Sequence, residues 1–223
     1  MIFDRLAIGT ANWGKEYNGA KVSEDDQKRI LDYCQCSGID MIDTATAYEW
    51  DWTKVSSYFN VVVKINENDS VKRVKEIRDA EPYCLMAHYK NLLDKIPWCH
   101  LGGVSLYNPS EYDGITESMR ILQVPYSMYD RRFERHFKTR HNEDIYNRKL
   151  HVRSVFLRGK IIKAGVEPWK CIAFCLMNPY VDRVIIGADS YEQFKDNLRP
   201  FHRMDVMKKE DENLLDPRRW KNE

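Results

Sequence analysis

The chain has 223 residues, enough for one substantial domain with a buried core and barely enough for two. Its 35 Lys and Arg nearly balance 34 Asp and Glu, and a net charge of +1 gives no electrostatic reason to expect nucleic acid or an anionic membrane as partner. Charged residues make up 31% of the chain with both signs mixed throughout, and no apolar run approaches the ~20 residues that span a bilayer.

The N-terminal "MIFDRLAIG" has an acid where a secretory signal has a basic segment, so no signal peptide is expected. A first strand is predicted at "LAIGTA" (6–11). Ser23 with Asp26 three residues on resembles a capping box, Ile30, Leu31 and Cys34 form a helical face, and Gly38 can end that helix in the left-handed conformation. Strands follow at "IDMIDT" (39–44), "NVVVKI" (60–65), "YCLMAHY" (83–89), "GGVSLY" (102–107), "ILQVPYS" (121–127), "HVRSVFL" (151–157) and "VDRVIIGA" (181–188). Most are continuous apolar runs, as in strands covered on both faces. Helices are predicted at 70–80, 109–119, 130–148, 168–178 and 190–198, and weaker ones of two turns at most at 49–59 and 91–97.

Eight alternations of strand and helix imply a parallel sheet, and eight close a barrel. The expected fold is a (β/α)8 TIM barrel filling 1–223 as one domain, compact, with shortened helices 2–4 and a short loop after strand 7. The charged tail 205–223 is expected to pack outside through Leu214, Leu215 and Trp220. An open doubly wound sheet is the alternative, but "GTANWG" after the first strand has the wrong spacing for a dinucleotide fingerprint. Six cysteines (34, 36, 84, 99, 171 and 175) form no C-x-x-C pair. Cys171 and Cys175 read as a buried helix face, so no metal is expected and a reducing cytosol is the expected setting.

A β/α barrel carries its chemistry at the C-terminal ends of its strands. The polar residues there are Asp43, with Tyr48 in the following loop, then Lys64, His88, Ser105 and Gln123. Taken singly, each reads as a rim residue where a strand meets water. Together, Asp, Tyr, Lys and His from three successive strands have complementary chemistry. A free phenol is a poor acid, with a pKa of ~10. A nearby ammonium stabilises its phenolate, and a carboxylate keeps the ammonium charged. Histidine can orient a carbonyl oxygen. Such a group can protonate an oxygen as negative charge develops on it, which is carbonyl reduction if a hydride donor is present.

The sequence resembles the aldo-keto reductases along nearly its whole length, through "LAIGTANWG", "GIDMIDTATAY", "VVVK", "LMAH", "GVSLYNP", "QVPYS", "VRSVFLRG" and "RVIIGADSYEQFKDN". The resemblance implies Tyr48 as general acid, Lys64 as its modulator, Asp43 as the partner of Lys64, and His88 as the orienting group. It also implies a nicotinamide cofactor, NADPH with NADH as the alternative, and a small carbonyl substrate. Thr10 and Ala11 would lie at the cofactor, and Ser105 and Gln123 would bond its carboxamide. Arg153 stands where relatives stack an aromatic ring on the nicotinamide. Ser154, Leu157, Arg158 and Gly159 would border the pyrophosphate, and Ala188, Ser190, Gln193 and Asn197 the adenosine end. Gln193 replaces a basic residue common at that position. Trp13, Tyr17, Trp50 and Tyr89 are candidate substrate contacts, Trp50 and Trp52 having the alternative task of docking the short helix 2.

Compared with the family the chain is short. Only "KIIKAGVE" separates Gly159 from Pro168, where relatives often carry a loop over the cofactor. A catalytic reductase with an open cofactor cleft is expected, as a monomer or weak homo-oligomer. The rivals are a cofactor-binding sensor with little catalysis and a Schiff-base lyase using Lys64. The latter needs a lysine of depressed pKa, which Asp43 opposes.

Overall fold

The computed structural model describes residues 2–17, 19–94, 101–113, 115, 118–139 and 148–214. Eight parallel strands pair in chain order, and the last returns to the first to close a barrel. They are β1 (Leu6–Gly9), β2 (Met41–Ala45), β3 (Asn60–Ile65), β4 (Cys84–Ala87), β5 (Gly103–Ser105), β6 (Ile121–Pro125), β7 (Lys149–Arg153) and β8 (Arg183–Ile186). β3 matches its predicted run. β7 begins two residues before the predicted run and stops at Arg153 instead of 157, because Ser154 turns to φ 59° and ends the extended backbone.

Six α-helices lie among the described residues: α1 (Glu24–Ser37), α2 (Val71–Asp79), α3 (Glu134–Thr139), α4 (Lys160–Lys163), α5 (Pro168–Leu176) and α6 (Tyr191–Leu214). α1 starts where Ser23 accepts the Asp26 N–H and ends at Gly38, φ 81°. Between β2 and β3 only 3-10 turns form, Thr46–Tyr48 and Trp52–Val55, and between β4 and β5 the described residues hold another, Lys90–Asp94. The shortening reaches one unit further than expected. Of the helix predicted at 109–119, the described residues hold only the 3-10 turn Pro109–Tyr112. The predicted helix 130–148 is reduced to α3 within the described residues, and 140–147 lie outside them.

The last helix departs in the other direction. It was expected to stop before Pro200, which cannot donate to the helical ladder, yet α6 runs through that proline. Phe201, 1% exposed, sinks into the core just beyond it, and Phe3 meets His202 in a tilted contact with centroids 4.6 Å apart. Packing there outweighs the local penalty. Residues 215–223, including Leu215 and Trp220, lie outside the described residues, as does the packing expected of the Leu214 side chain.

Two apolar clusters build the core. One fills the space between strands and helices. A smaller one, Ala7, Met41, Val62, Cys84, Met86, Ile121 and Ile185, fills the barrel interior. A Cβ on Gly103 would lie 2.7 Å from the Ile121 carbonyl oxygen, so the interior closes there only around glycine. The Cys171 and Cys175 thiols are free and buried in α5. A groove of about 1100 Å³ lies on the outer wall between α1 and the segment after β2, on the flank that a full helix would cover and away from the polar mouth.

One buried polar side chain in the barrel was not anticipated. His151 pairs in register with Gln123 and Arg183, is 1% exposed, and its Nε2 has no partner. Burial, and then the charges of Arg183, Lys149 and Lys64, push its pKa down to about 3. An unfolded histidine titrates near ~6.5. Between those values the unfolded chain holds a proton that the folded chain lacks, so stability falls as pH drops through this window. Replacing His151 with Leu should flatten the slope of unfolding free energy against pH by up to ~1.4 kcal/mol per pH unit. Urea titrations across the window measure it, and an unchanged slope would mean that His151 is not held neutral.

Candidate active site

Four buried polar groups meet inside the mouth of the barrel. Asp43 points inward from the middle of β2, and Lys64 from near the end of β3, where it pairs in register with Ala45 two residues beyond Asp43. Lys64 Nζ donates to Asp43 Oδ2 and, at 3.2 Å, to Gln123 Oε1. Gln123 Nε2 returns a hydrogen bond of 2.7 Å to Asp43 Oδ1, and Ser105 Oγ lies 3.5 Å from Gln123 Oε1. Asp43 is 4% exposed, Lys64 2%, and Gln123 and Ser105 are fully buried. Burial works against charge on Lys64, but Asp43 first and the Tyr48 phenol second outweigh it, so the net shift of its pKa is upward and it stays an ammonium.

Tyr48 is carried over this group by the 3-10 turn Thr46–Tyr48, which leaves β2 directly. The turn is hooked to the loop after β3. Thr46 Oγ1 donates to Asp69 Oδ2 at 2.6 Å and accepts from Asn66 Nδ2 at 2.9 Å, while Asp69 also accepts the Asn66 N–H at 2.8 Å. On its other side the turn rests on Gly14, where a Cβ would lie 2.2 Å from the Tyr48 carbonyl oxygen. Only glycine allows that approach. The Tyr48 ring centroid ends 5.6 Å from Lys64 Nζ and 6.3 Å from His88, edge to face.

His88 follows β4, its backbone N–H bonded to the Ile65 carbonyl at 2.9 Å. Burial, then Lys64 and Arg153, drive its pKa down to about 3, so the ring is neutral at pH 7. Its Nδ1 is buried without a partner. With the proton on Nε2, a lone pair and not a donor is left unmatched there. The His88 ring stacks on Tyr89 (4.7 Å, 8°), Tyr89 stacks on Tyr107 (5.2 Å, 23°), and the Arg153 guanidinium lies 4.1 Å from the Tyr107 ring centroid. Arg153 Nε donates to Ser105 Oγ at 3.2 Å. Tyr107 was missed at the sequence level, as was the part played by Gly14. Both lay in quoted motifs, but only the close contacts give them roles.

The turn after β7 holds three non-glycine residues in left-handed conformations, Ser154, Leu157 and Arg158, followed by Gly159 at φ 78°. Each such non-glycine residue costs ~1–3 kcal/mol. The backbone N–H groups of Arg158 and Gly159 have no partner among the described residues. Arg158 also lies 5.5 Å from the Tyr17 ring centroid, which joins the β1 loop to this turn. Past β8, Ala188 and Asn197 are buried, Ser190 Oγ caps α6 by accepting the Gln193 N–H, and Gln193 Oε1 accepts the Asp189 N–H at 2.6 Å. Thr10 Oγ1 is already bonded to Thr44 Oγ1 at 2.8 Å, and Ala11 follows it at the start of the β1 loop.

Two of the four aromatic residues proposed for substrate are not at the mouth. Trp13 is 2% exposed and meets Trp50 edge to face at 4.9 Å. Gln27 of α1 bonds both, donating to the Trp13 carbonyl and accepting from Trp50 Nε1. The pair docks the shortened segment onto α1, where Trp52 is buried as well. An apolar ring after a strand can turn to either side of its loop, and here the gap left by a missing helix draws both tryptophans outward. Tyr17 and Tyr89 remain partly exposed.

No protein-family model matches the chain, and no curated protein matches its sequence. Its structure is similar to solved ones. A protein from Pseudomonas aeruginosa assigned as an aldo-keto reductase superposes with a TM-score of 0.67 at 14% identity, covering 87% of this chain and 88% of that one. A glycerol dehydrogenase from Gluconobacter oxydans gives 0.60 at 15% identity, with 86% of both chains covered. An aldo/keto reductase from Klebsiella pneumoniae, solved with NADP and acetate, gives 0.57 at 12% identity over 86% of this chain and 84% of that one. The chain has the closed-barrel fold of the aldo-keto reductases.

Proposed function

We propose that the protein reduces an aldehyde or ketone to an alcohol with a reduced nicotinamide dinucleotide. The observation that carries this reading is the convergence of Tyr48 and neutral His88 over the buried Asp43–Lys64–Gln123 group at one barrel mouth. When bound, the cofactor supplies hydride to the carbonyl carbon. The chain's own residues manage the oxygen. His88 Nε2–H orients it, and the Tyr48 O–H bond breaks as a new O–H bond forms on the product. The Lys64 ammonium, held charged by Asp43, stabilises the phenolate left behind.

The residues fit such a cofactor. The free N–H groups of the strained turn at Arg158 and Gly159 suit a pyrophosphate, and the capped start of α6 suits the adenosine end. Ser105 and Gln123 are the carboxamide candidates, with Arg153 beside them. The structurally similar Klebsiella protein was solved with NADP, which supports a nicotinamide dinucleotide here, while Gln193 brings no charge to a 2′-phosphate.

Replacing Tyr48 with Phe removes the proton donor and keeps the ring. Turnover of an aldehyde panel should fall at least ~100-fold, the usual worth of general acid catalysis, while NADPH still quenches tryptophan fluorescence with the wild-type affinity. Undiminished turnover would end the proposed role of Tyr48. Nothing longer than α4 and the turn at Gly165 separates Gly159 from α5, so little covers the cofactor and water is excluded poorly. NADPH should therefore bind in the micromolar range or weaker, with fast release, and submicromolar affinity by fluorescence titration would contradict an open cleft.

A further inference from the structure

The barrel mouth carries a positive charge that no described residue pairs with. Lys64 is paired with Asp43. Among the described residues Arg153 has neutral hydrogen-bond partners only: Ser105 Oγ at 3.2 Å, Ser154 Oγ at 3.3 Å and the Leu106 carbonyl at 3.1 Å, one from each of its three nitrogens. A guanidinium has five N–H donors, so one on each terminal nitrogen remains. Asp130 lies within the field of Arg153, but its two carboxylate oxygens already hold Arg132, each at 2.8 Å. Arg153 is half-buried, and its charge is felt at both Lys64 and His88. Through Ser105, which it touches at 3.2 Å and which lies 3.5 Å from Gln123 Oε1, it adjoins the buried group of the mouth. Between Arg153 and His88 runs the stack of Tyr107 and Tyr89, a flat wall with a cation at one end and the carbonyl-orienting imidazole at the other.

We infer that the substrate carries an oxyanion, a carboxylate or a phosphate, on the same molecule as its carbonyl, and that Arg153 takes this group through its two remaining N–H donors. A fork of two donors meeting two oxygens is the strong form of such a contact, and a partly buried site strengthens it. This inference rests on the reading of carbonyl reduction, and its test separates the two. Turnover is compared for 4-carboxybenzaldehyde and benzaldehyde, as a ratio of kcat/KM within each variant, so that any general effect on cofactor or folding cancels. The wild type should prefer the carboxylate by about tenfold or more, as expected for a charge-assisted hydrogen bond. Arg153→Gln should bring the ratio to about one. Arg153→Lys keeps the charge without the fork and should give an intermediate ratio; it also serves as the test if the glutamine variant does not fold.

Binding of benzoate, phenylphosphonate and benzamide, followed by ligand-observed NMR, reads the site without turnover. Either anion should bind more tightly than benzamide in the wild type, and Arg153→Gln should remove the difference. The tighter of the two anions tells carboxylate from phosphate. Equal binding of all three, or an anion preference that survives both variants, overturns the inference. Arg153-dependent anion binding with no aldehyde turned over would remove the reductase reading, and with it the carbonyl substrate, leaving only an anion site at Arg153. Turnover of benzaldehyde without any oxyanion preference would remove the oxyanion site alone.

Discussion

The structure of the mouth depends on one buried ion pair. Lys64 and Asp43 are both withdrawn from water inside the barrel. Such pairs seldom stabilise a fold more than well-packed apolar residues would, because desolvating both charges costs about what their attraction returns. Removing either partner alone would strand a charge. The pair is tolerable here because Gln123 completes it, donating to one Asp43 oxygen while its own oxygen accepts from Lys64. A fixed, water-poor ammonium under a phenol is a poor way to hold a barrel together and a good way to accept a phenolate.

The other parts of the site are placed by the same economy of chain. Thr46–Tyr48 leaves β2 at once, and two short contacts from Thr46 to Asn66 and Asp69, with Gly14 behind, fix a turn that no α-helix follows before β3. The barrel wall outside is thin after β2, β4 and β5, where the described residues hold 3-10 turns, and Trp13, Trp50 and Trp52 fill part of the gap after β2. The polar interior survives this thinning because the strands, paired all the way round, set the register that aims Asp43, Lys64 and Gln123 at one another.

The eight strands were legible because parallel strands covered on both faces leave continuous apolar runs, and Asp43, Lys64 and His88 because they interrupt or end those runs. Helix lengths were less legible. Local pattern overstated the segment at 109–119, and it ended the last helix at 198, before Pro200, where burial of Phe201 carries α6 on. Arg153 could be located by its strand but not understood, since its meaning lies in Ser105, Leu106 and Tyr107, some fifty residues away in sequence. His151 sits in an alternating stretch, and nothing local tells its inward face from its outward one. Gly14 gives no signal in a single sequence, because the backbone it touches belongs to a different loop.

The central claim is that the buried lysine exists to serve hydride reduction. Its most direct test is to follow the label from NADPH deuterated at the nicotinamide 4 position into the alcohol formed from an aldehyde, in the wild type and in Lys64→Met. The account predicts deuterium on the carbinol carbon from one face of the cofactor in the wild type, and none above background in the variant. Deuterium transfer undiminished in Lys64→Met, or absent from the wild type with every aldehyde tried, would contradict it.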